Sequence, residues 1–332
     1  MSNIQPIARR APAEQDNHAR NPGMAYDADV IEQLRVNRSA AERRIATLPG
    51  RRSVKKEWQA AWLLKAVTCI DLTTLAGDDT PGRVQRLCAK ARRPVRQDLL
   101  DAMGMGEAAI TTGAVCVYHN MIEPAVKALE GTNIPVAAVS TGFPAGLSPL
   151  PLRIKEIEAS VAAGAREIDI VIDRGLLLTG DYRAVYDEMK AFREACGPAH
   201  VKAIIGAGDL GTLTNVARAS MACMMAGADF IKTSTGKEPV NATLPFALVM
   251  TRMIRAYHAR TGVRIGFKPA GGISTAKDAI NYQIVMKEEL GLPWLQPDLF
   301  RLGASSLLTD IERQLEHFVT GRYSAAHRHP MG

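Results

Sequence analysis

The chain has 332 residues, is 47% hydrophobic and carries a formal net charge of +7, enough to bury one large core or two ordinary ones. No apolar run approaches the roughly 18 residues that cross a bilayer, and residues 1–20 are polar, without the apolar centre of a secretory signal. The five cysteines are odd in number and form no CxxC pair, which reads as reduced thiols in a cytoplasmic protein.

Residues 1–28 are rich in Ala, Asn, Pro and Arg without periodicity, and disorder is expected there. Arg9 and Arg10 hint at a transit peptide, but Glu14 and Asp16 argue against one. Residues 1–60 hold 11 Lys/Arg against 7 Asp/Glu, densest at Arg51-Arg52-Ser53-Val54-Lys55-Lys56. Such a cluster can bind nucleic acid. Without interleaved aromatics or zinc spacing it reads better as a solvated basic face, whose field also attracts phosphorylated substrates. Helical spacing of apolar residues predicts a helix over 29–47, a break at Pro49-Gly50 and a second helix from Ser53. Residues 1–52 are thus a partly disordered, basic extension, 53–319 the main domain and 320–332 a mobile tail.

Within that domain short apolar runs alternate with amphipathic stretches. The runs are Ala66 to Ile70, Ala114 to Tyr118, Ile134 to Ser140, Glu167 to Ile172, Val201 to Ile205, the run ending at Lys232, Val263 to Phe267 and Leu299 to Leu302. Val- and Ile-rich strands separated by helices imply parallel pairing with both faces covered. Eight such units over roughly 250 residues match an α/β fold, a closed (β/α)8 TIM barrel carrying an N-terminal helical extension. The alternative, an open doubly wound sheet, is disfavoured because no GxGxxG follows the first strand.

Barrel chemistry sits at the carboxyl ends of strands. Lys232 ends the sixth run and is expected half-buried there, and Lys268 ends the seventh. A buried lysine is costly to keep charged, and a nearby cation lowers its pKa further, leaving a nucleophilic amine. The bland reading is a pair of surface lysines. Asp169 lies inside an apolar run, on the face opposite Ile168 and Ile170, so it needs a cationic partner. Asp71, Thr73 and Ser305 stand at other strand ends, and Asp173 suits a cap on the following turn. Three Gly-rich ends follow strands six to eight: Thr235-Gly236-Lys237, Ala270-Gly271-Gly272 and Gly303-Ala304-Ser305-Ser306. Glycine lets amides approach an anion closely, and the last loops of a barrel commonly hold phosphate. The histidines are dispersed except for His327 and His329 in the tail, so no metal site and no cofactor is expected.

Taken together, five motifs resemble the 2-deoxy-D-ribose-5-phosphate aldolase family. They are Asp71-Leu72-Thr73-Thr74-Leu75, GAREIDIV from Gly164, DFIKTSTGKEPVNA from Asp229, GFKPAGG from Gly266 and FRLGASSL from Phe300. The longer, animal-type members are also similar at VKKEWQAAWLLKAV from Val54 and at Gly321-Arg322-Tyr323. The resemblance implies a class I, metal-free lyase that reversibly cleaves 2-deoxy-D-ribose 5-phosphate to acetaldehyde and D-glyceraldehyde 3-phosphate. It implies Lys232 as the Schiff-base lysine, with Lys268 lowering its pKa and, together with Asp169, moving protons. It implies phosphate or substrate contacts at Asp71, Thr73, Thr235, Gly236, Lys237, Gly271, Gly272, Ser305 and Ser306. The expected partners are small phosphorylated aldehydes and deoxysugars, with no nucleic acid or membrane required and room for a homo-oligomer. Two positions depart from the family pattern: Ser274 stands where Arg is common, and Asp173 where Asn is common. Two rival readings predict different chemistry. Another phosphosugar barrel enzyme would act on a ketose phosphate, and a non-catalytic scaffold would bind nucleic acid through the basic extension.

Overall fold

The computed structural model describes residues 20–329. Among them, eight parallel strands form one sheet: β1 (Ile70–Thr73), β2 (Ala114–Val117), β3 (Val136–Ser140), β4 (Glu167–Val171), β5 (His200–Ile204), β6 (Phe230–Lys232), β7 (Gly266–Lys268) and β8 (Leu302–Ala304). Pairing runs β7-β6-β5-β4-β3-β2-β1-β8. Bridges Phe267–Phe300 and Ala270–Gly303 return β8 to β7, so the sheet closes into a barrel.

Among the described residues, four helices precede β1: α1 (Ala28–Glu32), α2 (Arg38–Ala46), α3 (Leu48–Arg51) and α4 (Lys56–Thr68). The outer ring follows, with α5 (Pro81–Arg92) and α6 (Gln97–Ala102) after β1, α7 (Ile122–Ala128) after β2 and α8 (Leu150–Ala162) after β3. Next come α9 (Arg174–Leu178) and α10 (Tyr182–Ala195) after β4, α11 (Leu213–Met225) after β5 and α12 (Leu244–Thr261) after β6. Then α13 (Ala276–Glu289) and α14 (Ser306–Thr320) follow β7 and β8. The helices start where short polar side chains satisfy free amides. Asp181 caps α10, and Thr275 with Asp278 makes a capping box on α13. Buried residues such as Val185, Met189 and Phe192 turn one face of α10 onto the barrel.

Several boundaries differ from the sequence reading. Residues 66–68 are the last turn of α4 rather than a strand, because Ala60, Leu63, Leu64 and Val67 continue one buried helical stripe. The predicted helix over 29–47 is two, since Asn37 accepts from Ala40 N and starts α2 afresh. Pro49 sits in the first turn of α3, where its missing N–H leaves nothing unpaired, so Pro49-Gly50 is not a break. The predicted disorder of residues 1–19 lies outside the described residues. From residue 20 onward the chain is tied down: Asn21 is buried and donates to the carbonyls of Met224 and Ala228, and Tyr257 Oη donates to Asn21 Oδ1. The basic cluster folds back, with Arg44, Arg51 and Arg52 gathered on Glu288 of α13. The tail, expected mobile, packs against α14. Ser324 and His329 are buried and both bond the Glu316 carboxylate.

Candidate active site

A barrel interior is ordinarily filled by apolar layers. Here much of it is ionic. Strand register places Asp169 opposite Lys202 and Lys232 opposite Lys268. Period two then turns Asp71, Glu167, Asp169, Lys202, Lys232 and Lys268 inward. Lys232 Nζ donates to Asp169 Oδ2 at 2.8 Å, and Lys268 Nζ donates to the same oxygen at 2.7 Å. Lys202 Nζ takes the other oxygen at 2.9 Å and Glu167 Oε2 at 2.5 Å. Lys268 also donates to Asp71 Oδ2 at 2.5 Å. Arg301 closes the floor, reaching Asp71 Oδ1 at 2.6 Å and Glu167 Oε1 at 2.7 Å. Glycine makes room for this layer. A Cβ on Gly303 would come 3.2 Å from Lys268 Cε, and one on Gly266 would strike the Phe230 ring.

The network holds four basic groups, Lys202, Lys232, Lys268 and Arg301, against three carboxylates, Asp71, Glu167 and Asp169. Fully ionised, it would leave one buried positive charge unmatched, which is expensive in a low-dielectric interior. Releasing one proton balances it. Lys232 is the group pushed down: burial disfavours its ammonium and Lys268 adds to that, against the pull of Asp169. The other three bases go up. Burial works against the charge of Lys268, but Asp169 and Asp71 outweigh it. Asp169 and Glu167 do the same for Lys202, and Glu167 and Asp71 for Arg301. Burial would raise Asp169, yet Lys202, Lys232 and Lys268 hold it well below the usual carboxylate range. Lys232 is 3% exposed rather than half-buried, so it lies deeper than its strand-end position suggests.

Opposite this network stands an apolar wall of Ala114, Cys116, Ala137 and Val139, with Leu75, Tyr118 and Phe143 packed on it. Above, the last three βα turns meet on one sector of the rim. Ser234 Oγ donates to the Ala270 carbonyl at 2.6 Å, and Ala270 N donates to Thr233 Oγ1 at 3.0 Å. The Gly303 amide donates to the Pro269 carbonyl at 2.9 Å. A Cβ on Gly236 would lie 3.9 Å from Gly271 Cα, and Gly236, Gly271 and Gly272 all have positive φ. Ser305 and Ser306 are exposed at the N-terminus of α14. Lys237 Nζ reaches the Leu75 carbonyl at 3.3 Å. Ser274 is exposed before α13.

A sequence model of the DeoC/LacD family aldolases matches residues 65–307. The chain belongs to the DeoC/LacD aldolase family. Similarity to members of this aldolase family extends well beyond the barrel. The chain is 59% identical over 315 residues to a deoxyribose-phosphate aldolase of Homo sapiens, covering 94% of this chain and 99% of that one. It is 60% identical over 311 residues to the Mus musculus protein of the same name, covering 93% and 98%. Among solved structures, a deoxyribose phosphate aldolase from Aeropyrum pernix superposes with a TM-score of 0.56 at 21% identity, over 80% of this chain and 98% of that one. The aldolase QR15 gives 0.58 at 26% identity, over 76% and 96%.

Lys232, Lys268, Asp169 and Asp71 come together in this family member. Thr73 lies beside them but turns its hydroxyl to the Asp71 carbonyl, at 2.7 Å. Asp173 caps α9 through the Gly175 amide. The sequence reading assigned nothing to Lys202, Glu167 or Arg301. The signal was present: Lys202 is the one charge inside the run from Val201 to Ile205. Glu238, also unassigned, sits on the Gly-rich turn after β6.

Proposed function

We propose that this aldolase cleaves 2-deoxy-D-ribose 5-phosphate reversibly to acetaldehyde and D-glyceraldehyde 3-phosphate, with Lys232 as the covalent nucleophile. One observation carries the reading: two lysines share one carboxylate oxygen, and only Lys232 of the four buried bases is pushed toward the neutral amine.

The neutral Lys232 amine adds to the C1 aldehyde of the open-chain sugar, and loss of water gives a protonated imine. A base takes the proton from the C3 hydroxyl. The C2–C3 bond then breaks, its electron pair passing to the iminium as an enamine while C3 becomes the aldehyde of glyceraldehyde 3-phosphate. Protonation of the enamine carbon regenerates an iminium, and water releases acetaldehyde and free Lys232. Asp169 accepts from both Lys232 and Lys268, and Asp169 and Lys268 serve these proton transfers. The rim amides of Gly236, Gly271 and Gly272, with Thr235, Lys237, Ser305 and Ser306, hold the phosphate and fix the sugar by contacts remote from the broken bond. Asp71 acts through Lys268. The apolar wall suits the two-carbon donor. Five free, buried cysteines fit a reducing compartment, and we place the protein in the cytoplasm. None of the helices among the described residues is long and apolar enough to cross a membrane.

The test is acetaldehyde release from deoxyribose 5-phosphate in the presence of a chelator. Full activity is expected. Loss of activity in chelator, or turnover of a ketose phosphate alone, would contradict the assignment.

A further inference from the structure

We propose that Glu238 is a specificity-determining residue: its carboxylate occupies the rim amides that would take the substrate phosphate, and it must leave before phosphate binds. This inference rests on the phosphate site assigned above. Glu238 Oε2 accepts from Thr235 Oγ1 at 2.7 Å and from the Gly236 amide at 3.1 Å. Both carboxylate oxygens accept from the Thr235 amide at 3.0 Å. An oxyanion therefore already sits on these donors, in the manner of a phosphate at an amide nest.

The seat is specific to Glu238. Asn241 Nδ2 donates to the Glu238 carbonyl at 2.8 Å, and the Asn241 side chain fills the space where a Cβ on Gly271 would lie. The residue is thus anchored between the turns after β6 and β7. Every donor to its carboxylate is neutral, and among the described residues no lysine or arginine pairs with it. Lys237, the adjacent cation, reaches across to Leu75 instead. Ser274 supplies no positive charge where an arginine would.

Two consequences follow from charge and valence. The Gly236 amide is a single donor already bonded to Glu238, so Glu238 and a phosphate compete for it. A carboxylate left beside a bound dianion also repels it. The apparent affinity for a phosphorylated ligand is then its intrinsic affinity reduced by the fraction of molecules in which Glu238 has swung out. An unphosphorylated sugar needs no such displacement. Glu238 therefore narrows the enzyme's preference for phosphorylated over unphosphorylated substrates.

The experiment is steady-state kinetics of the full chain, Glu238→Gln and Glu238→Ala on 2-deoxyribose 5-phosphate and on 2-deoxyribose, with inorganic phosphate as inhibitor. Glu238→Gln keeps the shape and removes the charge, and a neutral acceptor holds amides about half as strongly. Both variants are expected to lower KM for the phosphorylated sugar by roughly fivefold and to strengthen inhibition by phosphate similarly, so that the KM ratio between the two sugars widens. An unchanged or raised KM for the phosphorylated sugar, or equal shifts for both sugars, would overturn the proposal. A wild-type enzyme that neither distinguishes the sugars nor responds to phosphate would instead remove the rim phosphate site itself, and this inference with it.

Discussion

The barrel interior and its rim handle charge in opposite ways. Inside, seven ionisable groups are locked together by bonds of 2.5 to 2.9 Å, with Arg301 and Lys202 beneath the lysine pair. Their positions are overdetermined, and one proton fewer than full ionisation gives neutrality. At the rim the donors are the Thr235 and Gly236 amides and the Thr235 hydroxyl on a Gly-rich turn, with a single glutamate resting on them. The interior sets the protonation state of one amine. The rim, where we propose that the phosphate binds, offers donors that water and the Glu238 carboxylate contest. Substitutions inside should therefore cost catalysis or stability heavily, whereas substitutions at the rim should tune KM.

The sharpest break is Asp169→Asn. It removes the negative charge on which Lys202, Lys232 and Lys268 converge and puts an N–H donor on one side, and kcat for deoxyribose 5-phosphate cleavage should fall by about 10²–10⁴. A loss under tenfold in a folded variant would remove Asp169 from the proton path. Next is Arg301→Met, which leaves Asp71 and Glu167 without their guanidinium. Breaking a buried pair in this way costs about 3–5 kcal/mol, readable by urea unfolding. The pH dependence adds a sign. Burial would raise Glu167, but Arg301 and Lys202 hold it down at about 2. The stability it contributes is therefore complete above its ordinary value of 4.5 and is lost as pH falls through about 2. In Arg301→Met acid unfolding should begin at a higher pH, and an unmoved acid limb would count against the coupling. The smallest effect belongs to the rim. Ser274→Arg adds an exposed cation near the turn after β7, and KM for the phosphorylated sugar should drop by only about two- to fivefold. A comparable drop for unphosphorylated deoxyribose would mean that the residue acts elsewhere than on phosphate.

Much of this was legible in the chain. The eight apolar runs, the carboxyl-end lysines and the inward aspartate follow from periodicity and from the cost of burying charge. Strand one was misplaced because Ala66 and Val67 serve equally well in a buried helix stripe and in a strand, and nothing short of tertiary packing decides between them. The tail read as mobile because it is polar, but its anchors Ser324 and His329 depend on Glu316, several residues back on α14. Lys202, Glu167 and Arg301 went unassigned for a related reason. Each looks like an isolated charge until strand register brings β4, β5 and β8 to one floor. Ion networks are properties of a closed sheet rather than of any one segment.

The most direct test follows the ionisation of Lys232 itself. The full-length protein is treated with acetaldehyde and borohydride across a pH series, and the ethylated lysine is located by peptide mass. Modification is expected at Lys232, half-maximal at a pH below the ordinary lysine value of 10.5. Half-maximal modification near 10.5, or an ethyl group on Lys202 or Lys268 in place of Lys232, would contradict it.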